Sequence, residues 1–135
     1  ICKSPSNEEA KRIVELAGMN FVMKYEKRQG RKPKDVSQEF RGYDIKSTNS
    51  KNRYIEVKSF VESGVVELTQ NEWIMAGKLK DDYWLYVVEY ATDQTKRKLN
   101  LIQDPQEKFE KYEIVPTQIK IKIKDWQKSV DCVVA

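Results

Sequence analysis

The chain has no histidine. That absence excludes a Ser-His-Asp triad, a histidine-ligated metal centre and an imidazole general base. Cysteine is scarce: Cys2 and Cys132 stand near opposite ends, without metal-site spacing and too few for a disulfide framework. No apolar run approaches the ~20 residues that span a bilayer, and no signal-peptide pattern is present, so an intracellular, reducing setting is expected. Low-complexity tracts, internal repeats and linkers are also missing. The 135 residues therefore read as a single domain, long enough for one core. The chain opens without Met and is expected to be a piece of a larger protein.

What is present is charge. Apolar residues make up 39% and charged residues 34%, which describes a very polar surface around a modest core. The 25 Lys and Arg outnumber the 21 Asp and Glu, giving a net charge of +4. This is a mild lean toward polyanions, one that ordinary soluble proteins also show.

Ser6 followed by Glu9 is a capping-box start. Ala10, Ile13, Val14, Ala17, Phe21 and Tyr25 then recur at helical spacing, predicting a helix to about Lys27 that tolerates Gly18 and stops near Gly30. Arg28 to Lys34 reads as a basic loop, either a solvated connector or a phosphate contact. Short strands are expected over Asp35 to Phe40, Tyr43 to Ser47, Arg53 to Phe60 and Val65 to Leu68. A second helix is capped by Thr69 and Glu72 and runs to Leu79. Tyr83 to Tyr90 is almost continuously apolar, as in a central strand buried on both faces. Lys98 to Ile102 is a further strand, and Asp104-Pro105 opens a short helix. Gln118 to Lys124 alternates isoleucine with lysine, the pattern of an edge strand guarded by lysine, or of a positive stripe for a nucleic-acid backbone. The order implies a mixed sheet flanked by helices, an α/β sandwich.

The chemistry-bearing stretch is Gly42 to Ser59, two short strands joined by a polar turn. Asp44 lies in the first strand, Glu56 and Lys58 in the second. The side-chain period of two puts Glu56 and Lys58 on one face and Ile55 and Val57 on the other. A lone Glu-x-Lys on a strand is commonly a surface charge pair. Here it sits in an otherwise apolar strand, where charge is costly without a purpose. Asp44 precedes Glu56 by a hairpin's length, and Glu9 opens a helix that must pack on the same sheet. Paired carboxylates call for a divalent cation, and an adjacent amine completes the equipment for phosphodiester hydrolysis. Glu26 is a second-choice acid that reads as a solvated helix face. Thr69 and Glu72 read as caps of the second helix, and Trp73 and Trp84 as core. Tyr54 reads as a substrate contact or half of a cross-strand aromatic pair.

Glu9, Asp44 and Glu56-Val57-Lys58 together resemble the PD-(D/E)XK nuclease superfamily, although Tyr43 stands where its motif name has Pro. The phrases EEAKRIVE, YEKRQGRKP, GYDIKS, RYIEVKS, VELTQNEW, DDYWLYVVEY and LIQDP are similar, more narrowly, to the NO VEIN C-terminal-like domain. The resemblance implies a restriction-endonuclease-like fold with an α-β-β-β-α-β core. It implies a Mg²⁺ ion, replaceable by Mn²⁺, held by Asp44, Glu56, the Val57 carbonyl and Glu9. Lys58 would position the attacking water. DNA would be the substrate, with phosphates met by the Arg28 to Lys34 loop. Fused or associated helicase, ATPase or specificity modules are implied, as is a possible homodimer.

Overall fold

The structure, a computed structural model, describes residues 6–109, 112–115 and 120–134. Cys2 and positions 118–119 of the alternating stretch lie outside them. Helix α1 (Asn7–Arg28) begins where the Ser6 side chain accepts the Glu9 N–H at 3.2 Å, and ends one residue short of the turn containing left-handed Gly30. Six strands form one sheet in the order β1 (Lys32–Asp35), β2 (Ile45–Thr48), β3 (Asn52–Ser59), β5 (Tyr83–Glu89), β6 (Lys98–Gln103), β9 (Cys132–Val134). Neighbours are antiparallel except β3 and β5, which are parallel. A second, antiparallel sheet places β8 (Lys120–Ile123) between β4 (Val66–Thr69) and β7 (Tyr112–Val115). Helix α2 (Gln70–Leu79) follows β4 directly, and α3 (Pro105–Lys108) is a single turn.

The period-two rule divides the core in two. Trp84, Tyr86 and Val88 of β5 join Ile55 and Val57 of β3 under the Val14, Ala17, Phe21 and Val22 face of α1. The alternate residues Leu85 and Val87 join Ile102, Val66, Leu68, Ile121, Ile123 and Trp126 on the other face. β5 is therefore apolar from Tyr83 to Val88 because both of its faces are covered, as its composition implies. The fold is mixed α/β, with α1 on one side of the open sheet and α2 with the small sheet on the other.

Several local expectations change. Lys32 to Asp35 is already strand, pulled out of the expected basic loop by pairing with β2, and Ser37 to Glu39 forms a 3-10 turn instead of a strand. β8 is not an edge. It is paired on both sides, and Lys120 faces Glu67 of β4 at 3.4 Å, so the alternating lysines there serve cross-strand pairing. Glu26 is not solvated but fully buried. Arg31 donates to both its carboxylate oxygens, at 2.6 and 2.7 Å, and the Tyr86 hydroxyl donates to it at 2.9 Å. Arg53 donates in turn to the Tyr86 hydroxyl at 2.9 Å and lies 3.9 Å over the Trp84 ring. A buried carboxylate needs partners of this kind, and the network pins the end of α1 to the middle of the sheet.

At Gly18, α1 lies close on β3. A Cβ there would collide with the Ser59 hydroxyl oxygen and lie 2.8 Å from its Cβ. Alanine is the better helix former by about 1 kcal/mol, yet Gly18→Ala is expected to lower stability by about 1–3 kcal/mol through overpacking. Urea denaturation measures this, and an unchanged or raised stability contradicts the close approach.

Candidate active site

β3 outruns β2. The ladder between them closes at Ile45 opposite Ile55, while β3 continues through Glu56, Val57, Lys58 and Ser59 with β5 alone beside it. Asp44 sits at the step. Its main chain still follows the ladder, its N–H donating to the Ile55 carbonyl at 2.8 Å and its carbonyl accepting from Val36 N–H at 2.8 Å. Its side chain turns across the gap and accepts the Val57 N–H at 2.9 Å. The carboxylate thus satisfies a strand amide that β2 no longer reaches.

A cleft of about 590 Å³ opens at this step. Its floor is Asp44 and residues 56–59, one wall is Lys11, Glu15 and Met19 of α1, and the other is Glu67, Thr69, Glu72 and Lys120. Glu56 is 3% exposed. The Lys58 ammonium lies 3.2 Å from the Glu56 carboxylate and 3.0 Å from that of Glu72. Tyr83 is buried beneath, its hydroxyl donating to the Gly42 carbonyl at 2.9 Å. Gly42 takes φ +87, and a Cβ there would meet Met75 at 2.9 Å and the Asn71 carbonyl at 3.0 Å, so glycine is required where the chain turns into Asp44.

The electrostatics follow from burial and crowding. Burial pushes the Glu56 carboxyl well above its usual range, only partly offset by Lys58, and Asp44 and Glu72 add to the rise. Burial also raises Asp44, against the Val57 N–H that favours its charged form. Burial works against charge on Glu72 as well, but Lys58 and the Thr69 N–H overcome it and hold that carboxyl low. Burial alone lowers the Lys58 ammonium, while Glu56 and Glu72 more than reverse this and raise it. The Tyr83 hydroxyl is raised first by burial, then by the Glu56, Glu72 and Asp44 carboxylates.

Of the expected residues, Asp44, Glu56, Val57 and Lys58 come together in the cleft. Glu9 does not join them. It is exposed in the first turn of α1 and does not line the cleft, which meets that helix at Lys11, Glu15 and Met19. Lys11, Glu15 and Met19, at four-residue spacing, mark the helix stripe that faces the site and were the available signal. The Arg28 to Lys34 loop is also displaced. It opens where Lys32 pairs with Thr48, whereas Asp44 follows the other end of the ladder, where Asp35 pairs with Ile45. Lys11 and Lys120 are the cations that line the cleft beside Lys58. Glu72, expected only as a cap, caps α2 and also reaches Lys58. Tyr54 packs edge-on against Tyr43, ring centroids 5.0 Å apart.

The site's strand, helix and carboxylates fall inside one contiguous match. Residues 14–102 match the family model described as protein NO VEIN, C-terminal. The chain belongs to this family. The matched span contains Glu15, Asp44, Glu56, Lys58 and Glu72 and leaves Glu9 outside. Neither curated proteins nor solved structures give a match. No helix among the described residues of this NO VEIN C-terminal domain is long and apolar enough to cross a membrane.

Because burial opposes the Glu56 charge, Glu56→Gln is expected to stabilise the metal-free protein at neutral pH. Below the ordinary value near 4.5 the folded and unfolded chains both hold the proton, so the difference vanishes there. It grows as pH rises from that value through the raised folded value. Urea unfolding of both proteins from acidic to neutral pH checks the sign, and a destabilised variant at neutral pH contradicts it.

Proposed function

We propose that this domain is a Mg²⁺-dependent endodeoxyribonuclease of the PD-(D/E)XK superfamily, with a restriction-endonuclease-like core. The observation that carries the reading is the meeting of Asp44, Glu56 and Lys58 in one cleft at the step where β3 outruns β2. The α1, β2-β3 hairpin, β4, α2, β5 order agrees with the α-β-β-β-α-β core only in part, since β4 belongs to the second sheet.

The donor set suits a small hard cation. Glu56 and Glu72 share the one Lys58 ammonium and Asp44 lines the same cleft, so the three carboxylates carry more negative charge than Lys58 offsets when all are ionised. Among the described residues no three His, Cys, Asp or Glu side chains converge as a metal-ligand group. The fit is therefore to an ion that keeps most of its waters and takes one or two carboxylates, which is how magnesium binds. Asp44 and Glu56 would hold it, and Glu15 on the α1 wall of the cleft would meet its waters rather than the ion. When bound, the ion supplies Lewis-acid stabilisation of the phosphoryl oxygens. Lys58 orients the attacking water and offsets charge developing on the phosphate. Lys11 and Lys120 meet neighbouring phosphates. Fused helicase, ATPase or specificity modules, or a second copy, would supply target choice.

The test is cleavage of plasmid and linear DNA with Mg²⁺ or Mn²⁺. Wild type is expected to cut, and Asp44→Ala, Glu56→Ala and Lys58→Ala are each expected to lose at least ~100-fold in rate while staying folded. Glu9→Ala is expected to cut normally. DNA binding that falls with salt, without any product, would instead assign the fold to a non-cutting nucleic-acid-binding or assembly module.

A further inference from the structure

The Lys58 ammonium has two carboxylate partners, and they are not equivalent. Glu56 is a candidate cation ligand on the same strand, two residues away. Glu72 comes from α2, and its Oε1 accepts both the Lys58 ammonium at 3.0 Å and the Thr69 N–H at 2.8 Å. The Thr69 hydroxyl closes the reciprocal bond, accepting the Glu72 N–H at 3.1 Å. Thr69 is at once the last residue of β4 and the cap of α2. The Glu72 carboxylate is thus fixed to the main chain at the junction of strand and helix, with its side chain 15% exposed.

We propose that Glu72 is a positioning residue that holds the Lys58 ammonium in the cleft when Asp44 and Glu56 bind a divalent cation. The proposal rests on the reading above for the presence of that cation. A cation on Glu56 takes one of the lysine's partners and repels its charge at short range. A lysine side chain is a flexible four-carbon stem, and its favoured response is to swing to water. Glu72 opposes that swing because its own carboxylate is already ordered by the helix cap. Positioning by a preordered group costs little further side-chain entropy. The same oxygen that starts α2 therefore aims the amine, which ties the helix start to the geometry of the site.

The experiment follows the Lys58 ammonium ¹H–¹⁵N resonance, assigned through Lys58→Arg, in wild type, Glu72→Ala and Thr69→Ala. A hydrogen-bonded, part-buried ammonium exchanges slowly enough to be seen. In metal-free protein the resonance is expected in wild type, Thr69→Ala and Glu72→Ala, since Glu56 stays 3.2 Å from the ammonium. With saturating Mg²⁺ it is expected to shift but persist in wild type and in Thr69→Ala, whose main-chain N–H still orders Glu72, and to be lost in Glu72→Ala. Persistence in Mg²⁺-loaded Glu72→Ala would overturn the proposal, because the ammonium would then be held without Glu72. Equal loss in Mg²⁺-loaded Thr69→Ala, which keeps the Glu72 carboxylate, would also overturn it. Loss in wild type on adding Mg²⁺ would overturn it too. Resonances unmoved by Mg²⁺ in all three proteins would instead overturn the cation reading on which the proposal rests.

Discussion

Two carboxylates, Glu56 and Glu72, share the Lys58 ammonium at the bottom of a cleft, with a third, Asp44, beside them. In water such a group would spread apart at little cost. Here Asp44 is tied to the Val57 amide, Glu56 is fixed by its strand, and Glu72 is fixed by its helix cap. Lys58 partly offsets their charge. Lys58 does not fully compensate Glu56, since burial still holds that carboxyl well above the usual carboxylate range.

Three unrelated pieces of architecture hold this geometry. The unequal lengths of β2 and β3 expose a row of strand backbone and give Asp44 its partner. The absence of a side chain at Gly18 lets α1 lie close on Ser59, next to Lys58, so the helix walls the cleft instead of standing off from it. Glu26, Arg31, Tyr86 and Arg53 form a buried polar network that clamps the other end of α1 to the sheet. That network has a structural role. Its carboxylate is fully paired, and it lies on the α1 face of the sheet, whereas Glu56 shares the opposite face with Leu85 of β5.

Much of this was legible in the residues. The strand pair around Asp44 and Glu56 could be read because charged residues interrupt an apolar alternation, and the second helix because Thr69 and Glu72 spell out a capping box. β5 announced its central place by being apolar from Tyr83 to Val88. Other features were not legible, for physical reasons. Glu9 and Glu15 both sit on α1 but about 120° apart around it, and only the packing of the helix shows which of those faces meets the cleft. The pattern of Gln118 to Lys124 specifies a strand with one buried face but not how many neighbours it has. Burial of Glu26 depends on Arg31 and on Tyr86, sixty residues away, which no local pattern reports. The second role of Glu72 arises because the helix it caps begins against Lys58.

Membership of the NO VEIN C-terminal family accounts for the contiguous block that carries the sheet and the cluster. The nuclease reading goes further and stands on the carboxylate and lysine geometry. Its central claim is that Asp44 and Glu56 together hold a divalent cation. The most direct measurement is the anomalous difference map of crystals soaked in Mn²⁺. The account predicts one peak between these two carboxylates, absent from crystals of Asp44→Ala. A soaked crystal with no peak there, or a peak unaffected by that substitution, would contradict it.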